Sequence, residues 1–266
     1  MTERDEAGFL AAYRQEAWPR PSVAVDLAVF TVRDGRLLAL LIRRAEHPFQ
    51  GEWALPGGFL RVGPDATDQG EDLEEAAHRE LASETGLRPR SCYLEQLYTF
   101  GRAGRDPRMR VISVAWFALV PPHRAGEVAA GGDAAEARWV PWADLGLEGR
   151  SVDELQAAAL AREPGHPNGT GPAFDHAAIL RVAVERLRGK LSYSPIAHEL
   201  VPTEWTAGEL RTVYEAIEGQ PLERSNFYRR LRRLEELGHA REVGVRGGRG
   251  RPARLYTFEP EENRPA

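Results

Sequence analysis

Glu80 and Glu84 stand four residues apart in the stretch 54–87, ALPGGFLRVGPDATDQGEDLEEAAHRELASETGL. On a helix that spacing puts both carboxylates on one side, a single turn from each other. Two anions so placed repel unless a cation lies between them, and their hard oxygens suit Mg2+ or Mn2+. Such a metal, bridging a diphosphate, neutralises charge building on the leaving group and prepares a water for in-line attack. Arg79 is placed to hydrogen-bond the neighbouring carboxylates and hold their rotamers. The pair Gly57-Gly58 lets the backbone approach a ligand with no side chain in the way. The competing reading is an acidic, solvated amphipathic helix behind a Gly-rich turn, and the length and order of the motif count against it.

The element that must position these groups is a helix. From Glu71 to Glu84 there is no Gly or Pro, and Leu73, Ala76, Ala77 and Leu81 recur at helical spacing, which predicts one apolar face against a sheet and a stop at Thr85-Gly86. The run resembles the Nudix box: Glu71, seven residues, then Arg79-Glu80-Leu81-Ala82-Ser83-Glu84-Thr85-Gly86-Leu87. Ser83 replaces the first Glu of the family's pair. Gly58 lies thirteen positions before Glu71 where the family pattern has six, so about seven residues of 60–70 read as an inserted loop.

The resemblance implies a mixed-sheet α/β/α sandwich, a Mg2+ (or Mn2+) cofactor on Glu80 and Glu84, and catalytic roles for Glu71, Arg79, Glu80 and Glu84. It also implies a general base from a carboxylate outside the box, for which Asp133, Glu136 and Asp106 are candidates. A loop Arg105-Asp106-Pro107-Arg108 resembles one in relatives that act on ADP-ribose, which would put Arg105 and Arg108, with Gly57 and Gly58, at the substrate.

At 266 residues with 42% hydrophobic content the expectation is two modest domains. One cysteine, Cys92, excludes an internal disulfide. No apolar run has signal or membrane-span length, so the expected location is the cytoplasm, with no membrane partner.

Residues 1–20 read as a lead-in, 21–188 as the Nudix domain with a flexible insertion at about 145–172, 189–260 as a second domain, and 261–266 as a tail. Strands are expected at 23–32 and 37–42 around an Asp34-Gly35 hairpin turn, then at 98–100, 111–120 and 137–140. Arg43-Arg44 reads as a solvated strand end. Asp175 is expected to cap a helix over 176–187, with no catalytic role for His176.

The net charge is −5, yet residues 222–254 hold ten arginines against four glutamates, a local net of +6. Within them the sequence predicts two helices, 210–217 behind a Thr206–Glu209 capping box and 225–237, then a basic hairpin. A short helix over 194–201 would precede them, giving the order of a winged helix-turn-helix. Asn226, Arg229, Arg230 and Arg233 would face a duplex from the third helix, with Arg246, Arg249 and Arg251 on the wing.

Taken whole, the chain resembles Nudix-related transcriptional regulators, the best known of which control NAD metabolism. The resemblance implies an ADP-ribose-like ligand, a homodimer and a palindromic DNA operator. Two readings stay open: a Mg-dependent pyrophosphohydrolase fused to a DNA-binding domain, or a catalytically inactive sensor of ADP-ribose or a sugar acting purely as a regulator.

Overall fold

The first strand, β1 (Ser22–Arg33), alternates two apolar sets, and the alternation lays down the layers of the molecule. Val25, Leu27 and Val29 join one core, while Ala28, Phe30 and Val32 join another on the opposite face. The structure is a computed structural model describing residues 19–63, 69–87, 92–132, 134–162, 171–247 and 252–258. Asp34 and Gly35, with φ of 52° and 70°, turn the chain into β2 (Arg36–Arg44) as the hairpin signal predicts.

Two short strands follow, β3 (Trp53–Ala54) and β4 (Gly57–Phe59), then β5 (Tyr93–Phe100), β6 (Val111–Leu119) and β7 (Ala134–Pro141). The seven-stranded sheet runs β3-β2-β1-β6-β5, with β4 also on β1 and β7 also on β2. The β1–β6 pair is parallel and the others are antiparallel, so the sheet is mixed.

Helix α1 (Leu73–Thr85) covers the first face through Ala76, Ala77 and Leu81, and Gly86 at φ 72° ends it in the left-handed turn that glycine tolerates. The expected flexible stretch needs correction: residues 152–160 form α2 (Val152–Leu160). Ser151 and Glu154 cap it reciprocally, and Leu155 anchors it in the core. Its Ala-rich composition looked like linker but is also a helix former. Residues 163–170 lie outside the described part, as do residues 1–18 of the expected lead-in.

Helix α3 (His176–Lys190) covers the second face with Ile179, Leu180, Ala183, Val184 and Leu187. Beyond it come a 3-10 turn at Ile196–Leu200, β8 (Trp205–Thr206), α4 (Ala207–Glu218), α5 (Arg224–Glu236), β9 (Ala240–Arg246) and β10 (Ala253–Phe258). The three strands pair in the order β8-β10-β9, which with the two helices makes a winged helix. The first expected helix is a 3-10 turn, held by the buried Ile196, Ala197 and Leu200.

The two parts meet through packed side chains. Arg188 near the end of α3 donates to the carbonyl of Ile217 at the end of α4 and to Glu148. At the β1–β2 turn, a Cβ on Gly35 would lie 3.5 Å from Thr212 of α4.

Candidate functional site

Helix α1 carries its acidic residues on a prepared frame. Asp72 N–H donates to Glu75 at the helix start. Arg79 reaches Glu71 with two bonds, Nε–Oε2 at 2.8 Å and Nη2–Oε1 at 2.5 Å, and Glu80 with a third, Nη1–Oε1 at 2.5 Å. Bidentate, charge-assisted contacts of this kind fix both partners. Glu71 also closes the loop before it, accepting from Arg61 N–H while its own N–H donates to Arg61 O. The extra residues before Glu71 are thus pinched off at their base, which is how an insertion leaves the helix undisturbed.

Both remaining carboxylates end at the glycine pair. Glu84 Oε2 accepts from Gly57 N–H at 2.7 Å, and the Glu80 carboxylate lies so close to Gly58 that a Cβ there would overlap it. A Cβ on Gly57 would collide with Val25 O. The absent side chains therefore make room for the β1 backbone at Gly57 and for the Glu80 carboxylate at Gly58, and both glycines also line the cavity beside them. Ser83 turns its hydroxyl toward Glu80 Oε2 at 3.4 Å, contributing a neutral donor at the position of the missing carboxylate.

Beside Gly57 and Gly58 opens a cavity walled by Asp26, Arg44, Phe59, Arg105, Asp106, Arg108, Phe174 and His176. Arg105 is a structural cation here. It is buried, donating to Asp175 through Nε and Nη2 and to Asp26 through Nη2. Asp26 also takes the Ser113 hydroxyl at 2.5 Å and lies 3.4 Å from His176 Nε2. Leu55 N–H donates to His176 Nδ1, which leaves Nε2 to carry the proton toward Asp26. Burial pushes the Asp26 carboxyl up, but His176, Arg105 and Ser113 together hold it well below its ordinary range.

Asp175 does precede α3, yet its carboxylate serves Arg105 and makes no cap bond. Phe174 has φ of 54°, unusual for a bulky residue and costing on the order of 1–3 kcal/mol. Its ring is held there between Phe49 at 4.8 Å and the Arg44 guanidinium at 5.0 Å. Arg108 is locked to Asp106 by three bonds and lies 5.0 Å over Phe59.

Of the three candidate bases, Asp106 lines the cavity but is engaged by Arg108. Glu136 is half exposed on β7 and paired with Arg43, away from the cavity lining. Asp133 lies outside the described residues.

On the winged helix, α5 buries Phe227, Leu231 and Leu234 and exposes Arg229, Arg232 and Arg233. Asn226 is exposed and accepts from Arg229. Arg230 is part-exposed, pairs with Glu218 and lies over the Tyr214 ring, against α4. A groove between α5 and β10 is lined by Arg224, Tyr228, Arg232 and Arg254. Arg246 pairs with Glu209 beside it, while Arg249 and Arg251 lie outside the described residues.

Residues 20–162 match the NUDIX domain, and residues 197–258 match the NrtR DNA-binding winged helix domain. Over 95% of its length the chain is 35% identical to the ADPR responsive transcriptional repressor NtrR of Acinetobacter baylyi, of which it covers 88%. The chain belongs to the Nudix-related transcriptional regulators. The crystal structure of Shewanella oneidensis NrtR complexed with a 27mer DNA superposes with a TM-score of 0.68 at 32% identity, covering 90% of this chain and 94% of that one. An ADP-ribose pyrophosphatase of Methanocaldococcus jannaschii is 41% identical over 45% of this chain and 61% of its own length.

In this Nudix regulator Arg79 brings Glu71 and Glu80 together, whereas the sequence reading does not place Asp26, Arg44, Phe174 and His176 at the cavity. Asp26 offered one signal, a lone carboxylate on a strand of otherwise apolar character. Among the described residues no group of three or more His, Cys, Asp or Glu side chains is placed to hold a metal. Two buried carboxylates still fit a hard cation, because Mg2+ commonly takes one or two protein carboxylates and completes its shell with water and phosphate oxygens. No described helix is long and apolar enough to cross a membrane.

Proposed function

We propose that the protein is a transcriptional regulator that binds an ADP-ribose-like nucleotide in the Nudix cavity and duplex DNA through α5 and the wing. It would act as a homodimer on a two-fold operator, with the genes of NAD metabolism as its targets. The observation that carries this reading is the cavity: arginines and aromatic rings, suited to phosphate and to flat bases, beside the glycine pair and the α1 carboxylates. The names of the Acinetobacter and Shewanella relatives agree with it in ligand and in DNA. The test is fluorescence anisotropy of a duplex selected from a random library, with ADP-ribose titrated in. A nucleotide that never alters DNA affinity at any concentration would sink the coupling.

A second reading is favoured by the intact Glu71–Arg79–Glu80 frame and the buried Glu84. Glu80 and Glu84 would hold Mg2+, which when bound supplies electrostatic stabilisation of charge on the diphosphate. Arg79 would keep Glu80 oriented, and Gly57 N–H would keep Glu84 oriented. With Ser83 contributing no charge, hydrolysis of ADP-ribose to AMP and ribose 5-phosphate is expected to be slowed without being abolished. Phosphorus NMR of protein with ADP-ribose and Mg2+, beside Glu84→Gln, decides it: two phosphomonoester signals in the wild type alone mean a hydrolase. Shifted diphosphate resonances that never convert mean a pure sensor.

A further inference from the structure

Three arginines line the cavity, and they differ in what already neutralises them. Arg105 is enclosed by Asp26 and Asp175, and Arg108 is paired with Asp106. Arg44 alone of the three pairs with no carboxylate among the described residues. Its bonds go to backbone carbonyls, Nε to Pro48 O at 2.7 Å and Nη2, at 3.5 Å, to Glu46 O.

Strand alternation explains why the adjacent arginines part company. Arg43 leaves the sheet toward solvent and Glu136, while Arg44 turns to the cavity. The Arg44 backbone is fixed as well, since its N–H donates to Glu52 O and its carbonyl accepts from Gly51 N–H. With the Phe174 ring 5.0 Å from the guanidinium, little orientational freedom remains to be lost when a ligand arrives.

We propose that Arg44 anchors the diphosphate of the ligand, its guanidinium fork taking phosphate oxygens within the cavity. This rests on the nucleotide reading above and deepens it, moving the principal anion contact from Arg105 and Arg108, where the sequence points, to a residue that reads in sequence as a solvated strand end. The electrostatics agree. Burial and the like charge of Arg108 push the Arg44 guanidinium below its ordinary value, outweighing Glu84, Asp106 and Asp26. A diphosphate would supply the missing negative charge, and an anchor within electrostatic reach of Glu84 would bring its phosphates toward the α1 carboxylates.

The experiment is calorimetric titration of the full chain with ADP-ribose and, separately, with inorganic pyrophosphate, at several salt concentrations. Arg44→Met keeps the aliphatic stem and removes the charge; Arg44→Lys keeps a charge without the fork; Arg43→Ala is the control. Expected are a loss of ten-fold or more for both probes and a shallower salt dependence in Arg44→Met, partial recovery in Arg44→Lys, and wild-type affinity in Arg43→Ala. Wild-type affinity and salt slope in Arg44→Met would overturn the proposal. So would a loss that keeps the full salt slope and is not relieved by Lys, because that pattern belongs to a residue that only pins the 45–52 loop. Arg44-dependent binding of pyrophosphate without binding of ADP-ribose would uphold the anchor and overturn the nucleotide reading. Binding of neither probe by the wild type would overturn both.

Discussion

Arg105 Nη2 lies 2.6 Å from Asp175 Oδ1, so a loop of the sheet is joined to the residue that opens α3 across 70 positions of sequence. The same guanidinium holds Asp26 in the middle of β1. One buried cation thus ties three separate segments around the cavity. Removing it would leave the Asp175 carboxylate without its bidentate partner and Asp26 with only Ser113 and His176, a change that costs about 3–5 kcal/mol when one partner of a buried pair is lost. Arg105→Ala is expected to fall by that amount in urea unfolding, and Arg105→Lys to recover little, because one ammonium cannot reproduce the bidentate bond to Asp175.

Acid should weaken the fold through identifiable groups. The folded-state values of Asp26 and Glu148 are depressed, Glu148 to about 2 by the hydrogen bonds from Arg188 and Trp142. A depressed carboxyl contributes stability that is fully present above its unfolded value, about 4, and that is lost as pH falls through the folded value. Unfolding free energy should therefore hold steady from pH 7 to about 5 and decline between roughly pH 4.5 and 2. Glu148→Gln should decline less steeply, and identical slopes would show that the Arg188 contact contributes nothing.

The same partition of roles explains which parts were legible in the sequence. Helix α1 announces itself locally, through the periodicity of Ala76, Ala77 and Leu81 and the Gly86 stop, and so do the Asp34-Gly35 turn and the Thr206–Glu209 cap. The cavity is different. Asp26, Arg44, Arg105 and His176 come from four segments, and the pairing of β1 with β2 and β6 and the docking of α3 bring them together. Periodicity distinguishes inside from outside, but it cannot tell that Arg44 turns toward a cavity while Arg43 turns to solvent. Helix α2 was hidden for another reason, a composition that serves helix and linker equally well.

The arginines of α5 should separate into two classes. Arg229 and Arg233 are exposed, so Arg229→Ala and Arg233→Ala are expected to weaken duplex binding and to reduce the salt slope by about 0.9 for each phosphate contact removed. Arg230→Ala should instead lower thermal stability modestly, since that residue pairs with Glu218 and lies on Tyr214. An Arg230 variant with normal melting and a flattened salt slope would place it on the DNA.

Gly58→Ala offers a clean disturbance of the α1 carboxylates. Its Cβ would overlap the Glu80 carboxylate, which must swing away from Arg79. Turnover, if the wild type has it, should drop by two orders of magnitude or more, while DNA affinity without nucleotide stays unchanged. Retained turnover would mean that the Glu80 rotamer is irrelevant to the chemistry.

Because one apolar core runs unbroken from Phe30 of β1 through Leu187 of α3 to Leu210 and Ile217 of α4, the two halves are spliced rather than tethered. A cut between them would bare the apolar surface of each. In lineage terms, a winged helix could not be exchanged for another here without recutting α3 and the β1–β2 turn together. A message crossing this junction has no linker to swing on. It must travel as a small sliding of packed helices, whose reach is set by how far Arg188 can follow Ile217 before their bond breaks.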